Sequence, residues 1–407
     1  MEADSRLQCS PKKRAQKSIA KSAKPHQQQR PIAKKKATAR QPPSQQQPVP
    51  AAQPQPTLRM RTSTVADYII SAPLMVGSMC AGMLSEQWAI SRDHVHTFAA
   101  ETNAHARYFI SKTACVLKML GDVTKPFLHK TAPPCELLVA GFPCQPFSPN
   151  GDGMAMGDPR GLIIHEIVKY MTAHLPRIVL LENVAGLLEL HLSTFVQIIE
   201  MISQIQDAHF GGRAYSTFYK IIDSRDHGLV QNRRRVYIVC IRRMGRERLA
   251  MNWPLAEPKP PLSSLFDLNS KRLKTYQDYP MEGLSKRIQK HLRDAIAKVS
   301  VYAEANCLTV ENVPVIVDTD GAKLNYKIDG APCLTKARGG SRTFWSLQHG
   351  RYLSITELMR LQGVPTDIPV TSERQIGMML GNGFSVPVIR KLIDAALAAA
   401  ESSSPVA

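Results

Sequence analysis

Long apolar runs are what this chain most plainly lacks. No window approaches the roughly 18 consecutive apolar residues that a membrane span needs, and the first thirty residues carry charge and glutamine where a secretory signal would need an apolar stretch. Neither membrane insertion nor secretion is expected. Paired cysteines are missing too: the eight stand at 9, 80, 115, 135, 144, 240, 307 and 333 with no Cys-x-x-Cys among them. That excludes an obvious zinc site or small disulfide framework and fits a reducing compartment. Acids are the scarce charge, 33 Asp+Glu against 52 Lys+Arg, for a formal charge of +19.

The basic excess is not spread evenly. Residues 1–61 hold 14 Lys/Arg and 2 acids, so +12 of the +19 sits there. This tail has no aromatic residue and few large aliphatics, and between Gln41 and Thr57 six Gln and six Pro fill 17 positions. Such a composition cannot bury itself and predicts a disordered, extended arm. Pro11-Lys12-Lys13-Arg14 and Lys34-Lys35-Lys36 have the pattern of nuclear-import signals, and equally that of a solvated arm touching phosphates. A nuclear location is the expectation.

What is present begins near Thr64, where short apolar runs alternate with amphipathic stretches. Leu74 to Met79, His94 to Glu101, Cys135 to Phe142, Arg177 to Val184, Tyr215 to Asp223 and Arg234 to Arg243 read as strands. Helical patterns at 85–91, 102–111, 161–173 and 194–205 lie between them. This alternation predicts an α/β, doubly wound, Rossmann-like parallel sheet covered on both faces. Ligands of such sheets sit beyond the carboxyl ends of the strands, which directs attention to the residues after each one.

After the first strand, Gly82 in Cys80-Ala81-Gly82-Met83-Leu84-Ser85 lets backbone approach a ligand, or merely turns the chain. Glu101 ends the second strand and can accept from a ribose diol or cap a helix. Asp122, in Gly121-Asp122-Val123, can accept from an adenine amino group or belong to a plain turn. Pro143 and Pro146 bracket Cys144 and Gln145, holding a thiol in a stiffened loop, although an isolated cysteine is ordinarily a core residue. Leu181-Glu182-Asn183-Val184 places a carboxylate beside that loop, and Gln231-Asn232-Arg233-Arg234-Arg235 sets Arg233 and Arg235 on one face by the period of two.

In linear order, these segments resemble the DNA (cytosine-5) methyltransferase family, from about Leu74 to Arg243 and again from Tyr352 to about Ile393. The carriers are Pro143-Cys144-Gln145, Glu182-Asn183-Val184, Gln231 with Arg233 and Arg235, Leu361-Gln362-Gly363-Val364-Pro365, and Gly381-Asn382 with Ser385-Val386-Pro387-Val388. The resemblance implies a class I methyltransferase fold and S-adenosylmethionine as cofactor. It implies double-stranded DNA as partner, its target cytosine flipped out of the stack. By the same resemblance Cys144 adds to cytosine C6, Glu182 holds and protonates N3, Arg235 contacts the base carbonyl and Arg233 braces the loop. Gly82, Glu101, Asp122, Pro143, Asn382 and Phe384 are the expected cofactor contacts. Gln145, Ser148, Arg338 and Gly339 are the expected DNA contacts, the last two in a flexible basic loop at 337–342. No metal is expected.

The sequence also departs from the family. Where Phe-x-Gly-x-Gly is usual, Cys80, Gly82 and Leu84 stand, Thr102 replaces a larger apolar residue, and Gly383 stands where serine is common. The expected organisation is a tail (1–61), a catalytic part (62–250), a target-recognition region (251–369) and a closing catalytic segment (370–407). Two other functions fit parts of the pattern. One is a tRNA cytosine-5 methyltransferase, with RNA as partner, although that branch's Cys-Phe-Thr tripeptide is absent. The other is a catalytically silent homologue that binds DNA or chromatin, which the altered first motif favours and the intact Cys144, Glu182 and Arg235 oppose.

Overall fold

The computed structural model describes residues 72–402 except 126, 144–162, 247, 268, 277 and 278. The basic tail and the segment carrying Cys144, Gln145 and Ser148 lie outside the described residues.

The six expected strands form within a residue or two of their expected ends, and short additions complete two sheets. In chain order the strands are Leu74–Met79 (β1), His94–Ala100 (β2), Met119–Leu120 (β3), Leu137–Gly141 (β4), Ile178–Val184 (β5), Tyr215–Asp223 (β6), Arg234–Arg242 (β7), Val315–Asp318 (β8), Asn325–Ile328 (β9), Phe344–Ser346 (β10) and Arg351–Tyr352 (β11). The helices are Ala104–Thr113 (α1), Leu128–Thr131 (α2), Ile163–His174 (α3), Gly186–Glu189 (α4), Leu192–Ser203 (α5), Lys286–Ala305 (α6), Lys336–Ser341 (α7), Ile355–Gln362 (α8), Glu373–Asn382 (α9) and Val386–Glu401 (α10). The helix expected over 85–91 is a single 3-10 turn, Ser85–Trp88. Only the second half of the basic stretch 271–298 is helical, because Ser285 accepts from the Ile288 N–H and starts α6 there.

The large sheet has the order β3-β2-β1-β4-β5-β7-β6. It corrects the expected parallel sheet in one respect: β7 runs antiparallel to both neighbours, β5 and β6. Only residues 224–233 join β6 to β7, too few for the helical crossover that a parallel pair needs, so the chain turns straight back.

Period-two alternation divides the apolar side chains between two cores. Leu137, Val139, Ile178, Leu180, Val239 and Ile241 face a core closed by α8, α9 and α10. Leu138, Ala140, Val179, Leu181, Ile238 and Cys240 face the other, closed by α3 and α5. α8 was expected in the recognition region, yet its Leu358, Met359 and Leu361 belong to the first core, so that core resumes well before residue 370.

The second sheet, ordered β11-β10-β8-β9, shares its faces in the same way. Val315, Val317 and Trp345 pack on Leu292, Ala295 and Val299 of α6, whereas Ile316 and Phe344 reach into the core of the large sheet. Residues 69–407 accordingly form one compact unit.

The flexible loop expected at 337–342 is instead helix α7, capped by Thr335. It crosses α9 so closely that a methyl group added to Gly339 would lie 1.9 Å from the Gly377 carbonyl oxygen. Gly339, expected to contact DNA, is buried in that crossing. We expect Gly339→Ala to cost about 3 kcal/mol, the upper part of the ordinary overpacking range, because the obstacle is backbone. Urea denaturation of the full chain measures it, and an unchanged midpoint would mean that the two helices can part freely.

Candidate active site

In the large sheet the order of strands reverses between β1 and β4, and a cleft opens there beyond the carboxyl ends of the strands. Register aligns those ends, with Met79 beside both Ala100 and Ala140, and Gly141 beside Glu182. The cleft has a volume of about 260 Å³. Gly82, Glu101, Asp122, Pro143, Glu182, Arg233, Arg235, Asn382 and Phe384 all line it, so every described residue expected for catalysis or cofactor binding converges on one place. Arg338 and Gly339 are not among its lining residues. Arg338 is tied instead to the buried Asp318 of β8, Nε to Oδ2, at 2.9 Å.

Antiparallel pairing of β5 with β7 brings Glu182 and Arg235 together. It sets Val184 opposite Arg235 and Glu182 opposite Tyr237, bringing the start of one strand beside the end of the other. Arg235 Nε lies 3.1 Å from Glu182 Oε1, with both side chains about nine-tenths buried. Their alignment is too bent for a hydrogen bond, and Glu182 Oε1 has no hydrogen-bond partner among the described residues. Arg235 is further held by the Arg234 carbonyl at 2.8 Å.

The described contacts of Arg233 run to the C-terminal segment, while the cysteine loop it was expected to brace lies outside the described residues. Arg233 lies just before β7, is 2% exposed, and donates to the carbonyls of Leu334 (2.8 Å), Gly381 (3.3 Å) and Gly383 (2.8 Å). Gln231 bonds the Leu361 carbonyl, the Leu334 N–H and Gln362, and Gln362 in turn bonds the Leu380 carbonyl and Ser385. Three motifs far apart in sequence thus share one buried polar network. Its polar members stood in the sequence, but nothing in their spacing announced their pairing.

On the opposite rim, Glu101 Oε2 accepts from the Gly82 N–H at 2.7 Å and Oε1 from the Asn103 N–H at 2.7 Å. Asp122 Oδ1 accepts from the Thr124 N–H and hydroxyl. The turn after β1 is left-handed at Cys80, Gly82 and Leu84 alike (φ 56°, 55° and 59°). Of these, Cys80 and Gly82 line the cleft and Leu84 does not. Burial, together with Glu101 and Asp122, pushes the Cys80 thiol up to about 12. A methyl added at Gly383 would lie 3.1 Å from the Ser85 hydroxyl, a tight contact that a larger residue there would have to relieve by a small shift.

Sequence reasoning missed Glu86. It follows Ser85 beneath the cleft floor, is 0% exposed, and neither of its oxygens has a hydrogen-bond partner among the described residues. Burial pushes its carboxyl up to about 7, partly offset by the Ser78 hydroxyl.

The fold and cleft define an α/β enzyme that binds its ligands at the switch point of the sheet. The family model for C-5 cytosine-specific DNA methylases matches residues 74–398. The chain belongs to that family and is a DNA cytosine-5 methyltransferase. It is 29% identical to the type II methyltransferase M.NgoBI of Neisseria gonorrhoeae over 265 residues, 63% of this chain and 72% of that protein. It is also 29% identical to M.SsoII of Shigella sonnei over 287 residues, 69% of each. The solved structure of the methyltransferase EhMeth of Entamoeba histolytica shares the fold at a TM-score of 0.51 and 16% identity, covering 80% of this chain and 98% of that one.

Two expectations follow. Removing the carboxylate in Glu101→Ala unties Gly82 and should weaken binding of S-adenosylmethionine, the methyl donor this family implies, by about 1–3 kcal/mol in calorimetry. Unchanged affinity would place the cofactor elsewhere. Glu86 has a folded pKa above its unfolded value, so its favourable contribution is complete below about pH 4.5 and lost as pH rises through about 7. Glu86→Gln and wild type should therefore be equally stable near pH 4.5, and by pH 8 the variant should be the more stable by about 3 kcal/mol. A pH-independent difference in urea titrations would show that Glu86 does not carry this shift.

Proposed function

We propose that this chain methylates C5 of a flipped cytosine in double-stranded DNA through a covalent bond from Cys144 to C6, with S-adenosylmethionine as donor. The observation that carries the reading is the Glu182–Arg235 pair, 3.1 Å apart, in the same cleft as Pro143, the residue immediately before Cys144.

The cleft fits the cofactor. Around Gly82 a Cβ would meet open space, so backbone can approach a ligand there, and the carboxylates of Glu101 and Asp122 stand where adenosine offers hydrogen-bond donors. Glu101 would take the ribose hydroxyls and Asp122 the adenine amino group, while Pro143, Asn382 and Phe384 supply the remaining contacts. When bound, the cofactor supplies an electrophilic methyl group.

Cytosine C5 is too poor a nucleophile to take that methyl unaided. The Cys144 thiolate adds to C6 while Glu182 gives a proton to N3, which makes C5 enamine-like. Arg235, already anchored by Glu182 and the Arg234 carbonyl, turns its charge to the base carbonyl oxygen. After methyl transfer a base removes the C5 proton, the electron pair returns to expel the thiolate, and N3 gives its proton back to Glu182. Arg233 acts at a distance by fixing the backbone that presents Asn382 and Phe384. Gln145 and Ser148 are the proposed DNA contacts. The basic tail adds affinity for any DNA sequence, and its import-like segments fit a nuclear location.

Fluorine at C5 cannot leave as a proton, so a 5-fluorocytosine duplex with protein and S-adenosylmethionine should yield a denaturation-resistant adduct. Cys144→Ala should give none, and Glu182→Gln should form it more slowly. An adduct with tRNA and none with DNA across varied cytosine contexts would move the substrate to RNA. Failure with every nucleic acid, despite cofactor binding, would favour the silent homologue.

A further inference from the structure

A second concavity lies at the other end of the large sheet. Tyr215 pairs with Arg242 and Ile178 with Ile241, so the starts of β5 and β6 and the end of β7 meet there. The length of β5, 7 residues, separates this region from the methylation cleft by about 20 Å. A pocket of about 270 Å³ opens beside the last turn of α5, lined by Arg213, Arg243 and Arg248 with the hydroxyls of Ser203, Ser216 and Thr217. Arg246 adjoins it, its Nε donating to the Arg243 carbonyl at 2.8 Å, and burial, followed by the charge of Arg177, pushes Arg246 below the usual arginine value.

Among the described residues these arginines have no counter-charge; Glu247, between Arg246 and Arg248 in sequence, lies outside them. None of Arg177, Arg213, Arg243, Arg246 and Arg248 forms an ion pair among the described residues. Asp207, on the turn before β6, is already held by Arg242 at 2.7 Å. Arg243 Nε and Arg246 Nη1 are buried with no hydrogen-bond acceptor among the described residues. Ser216 Oγ accepts from the Leu249 N–H, which leaves its own proton free to donate. Converging like charges and buried guanidinium donors without acceptors are unfavourable in an empty protein. An anion with several oxygens relieves both, and phosphate matches the guanidinium fork.

We propose that this pocket binds adjacent phosphate groups, presented either by a free oligophosphate or by neighbouring phosphodiesters of a nucleic acid. The site is separate from the methylation cleft and does not depend on the reaction there. Calorimetry of the full chain with inorganic tripolyphosphate at 0.15 M salt tests it. Arg213→Gln/Arg248→Gln removes two exposed side chains and should weaken a saturable site at least tenfold. Lys112→Gln/Lys169→Gln, an equal charge change elsewhere, should alter it less than twofold. Ser203→Asp, which adds a carboxylate to the lining, should also abolish binding and guards against a folding defect in the double variant. Salt titrations with a short duplex separate the sources. If phosphodiesters occupy the pocket, the arginine variant loses about two units of salt slope and tripolyphosphate competes with the duplex. If the slope is unchanged while tripolyphosphate affinity falls, the ligand is a free oligophosphate. Equal losses in the arginine and lysine variants, or no binding by wild type at millimolar concentration, would overturn the proposal.

Discussion

A buried guanidinium needs acceptors, and Arg233 finds them for Nη1 and Nη2 in backbone carbonyls from two distant parts of the chain, its Nε being left without a partner among the described residues. The rest of the site depends on this. Its bonds to Gly381 and Gly383 bracket Asn382, and Gln231 and Gln362 extend the same network to Leu334, Leu361 and Ser385. The C-terminal helices are thereby fixed against the strand that carries Arg235. Because a half-satisfied buried network is worse than none, the three segments are expected to order together.

The second constraint is the direction of β7. Neighbouring parallel strands place like ends together, so a strand's opening residues could never lie beside the closing residues of β5. One reversed strand removes that restriction and brings Arg235 to Glu182. The pair then faces a cleft that the parallel strands β1, β2 and β4 create by their aligned carboxyl ends. Mixed strand direction is thus what joins a ligand-binding edge to a charged pair supplied from the other direction.

The turn after β1 carries strain that the usual glycines would avoid. Left-handed backbone costs a residue with a Cβ about 1–2 kcal/mol, and both Cys80 and Leu84 adopt it. Leu84 recovers part of this by complete burial among Ala81, Ala99 and Ile110. Glu101 holds the turn from the next strand through the Gly82 N–H. The departures from the family pattern are therefore accommodated by packing and a hydrogen bond, and the turn keeps its shape.

The sequence by itself determined the strands, the α/β class and the chemistry-bearing residues, because period-two alternation and the order of short motifs are local properties that folding preserves. Glu182, Glu101 and Asp122 were legible as residues that follow or end a strand, and Arg235 as one that opens a strand. The tertiary structure alone decided that β7 is reversed, that residues 337–342 are helical with Gly339 buried against α9, and that Arg233 anchors the C-terminal segment. It also decided that Glu86 is buried without a hydrogen-bond partner among the described residues and that five arginines gather at the far end of the sheet. The physical reason is the same in each case. Strand direction, helix crossings and the company of a charged side chain are set by contacts between residues tens to hundreds of positions apart, and no local pattern records which of them will meet.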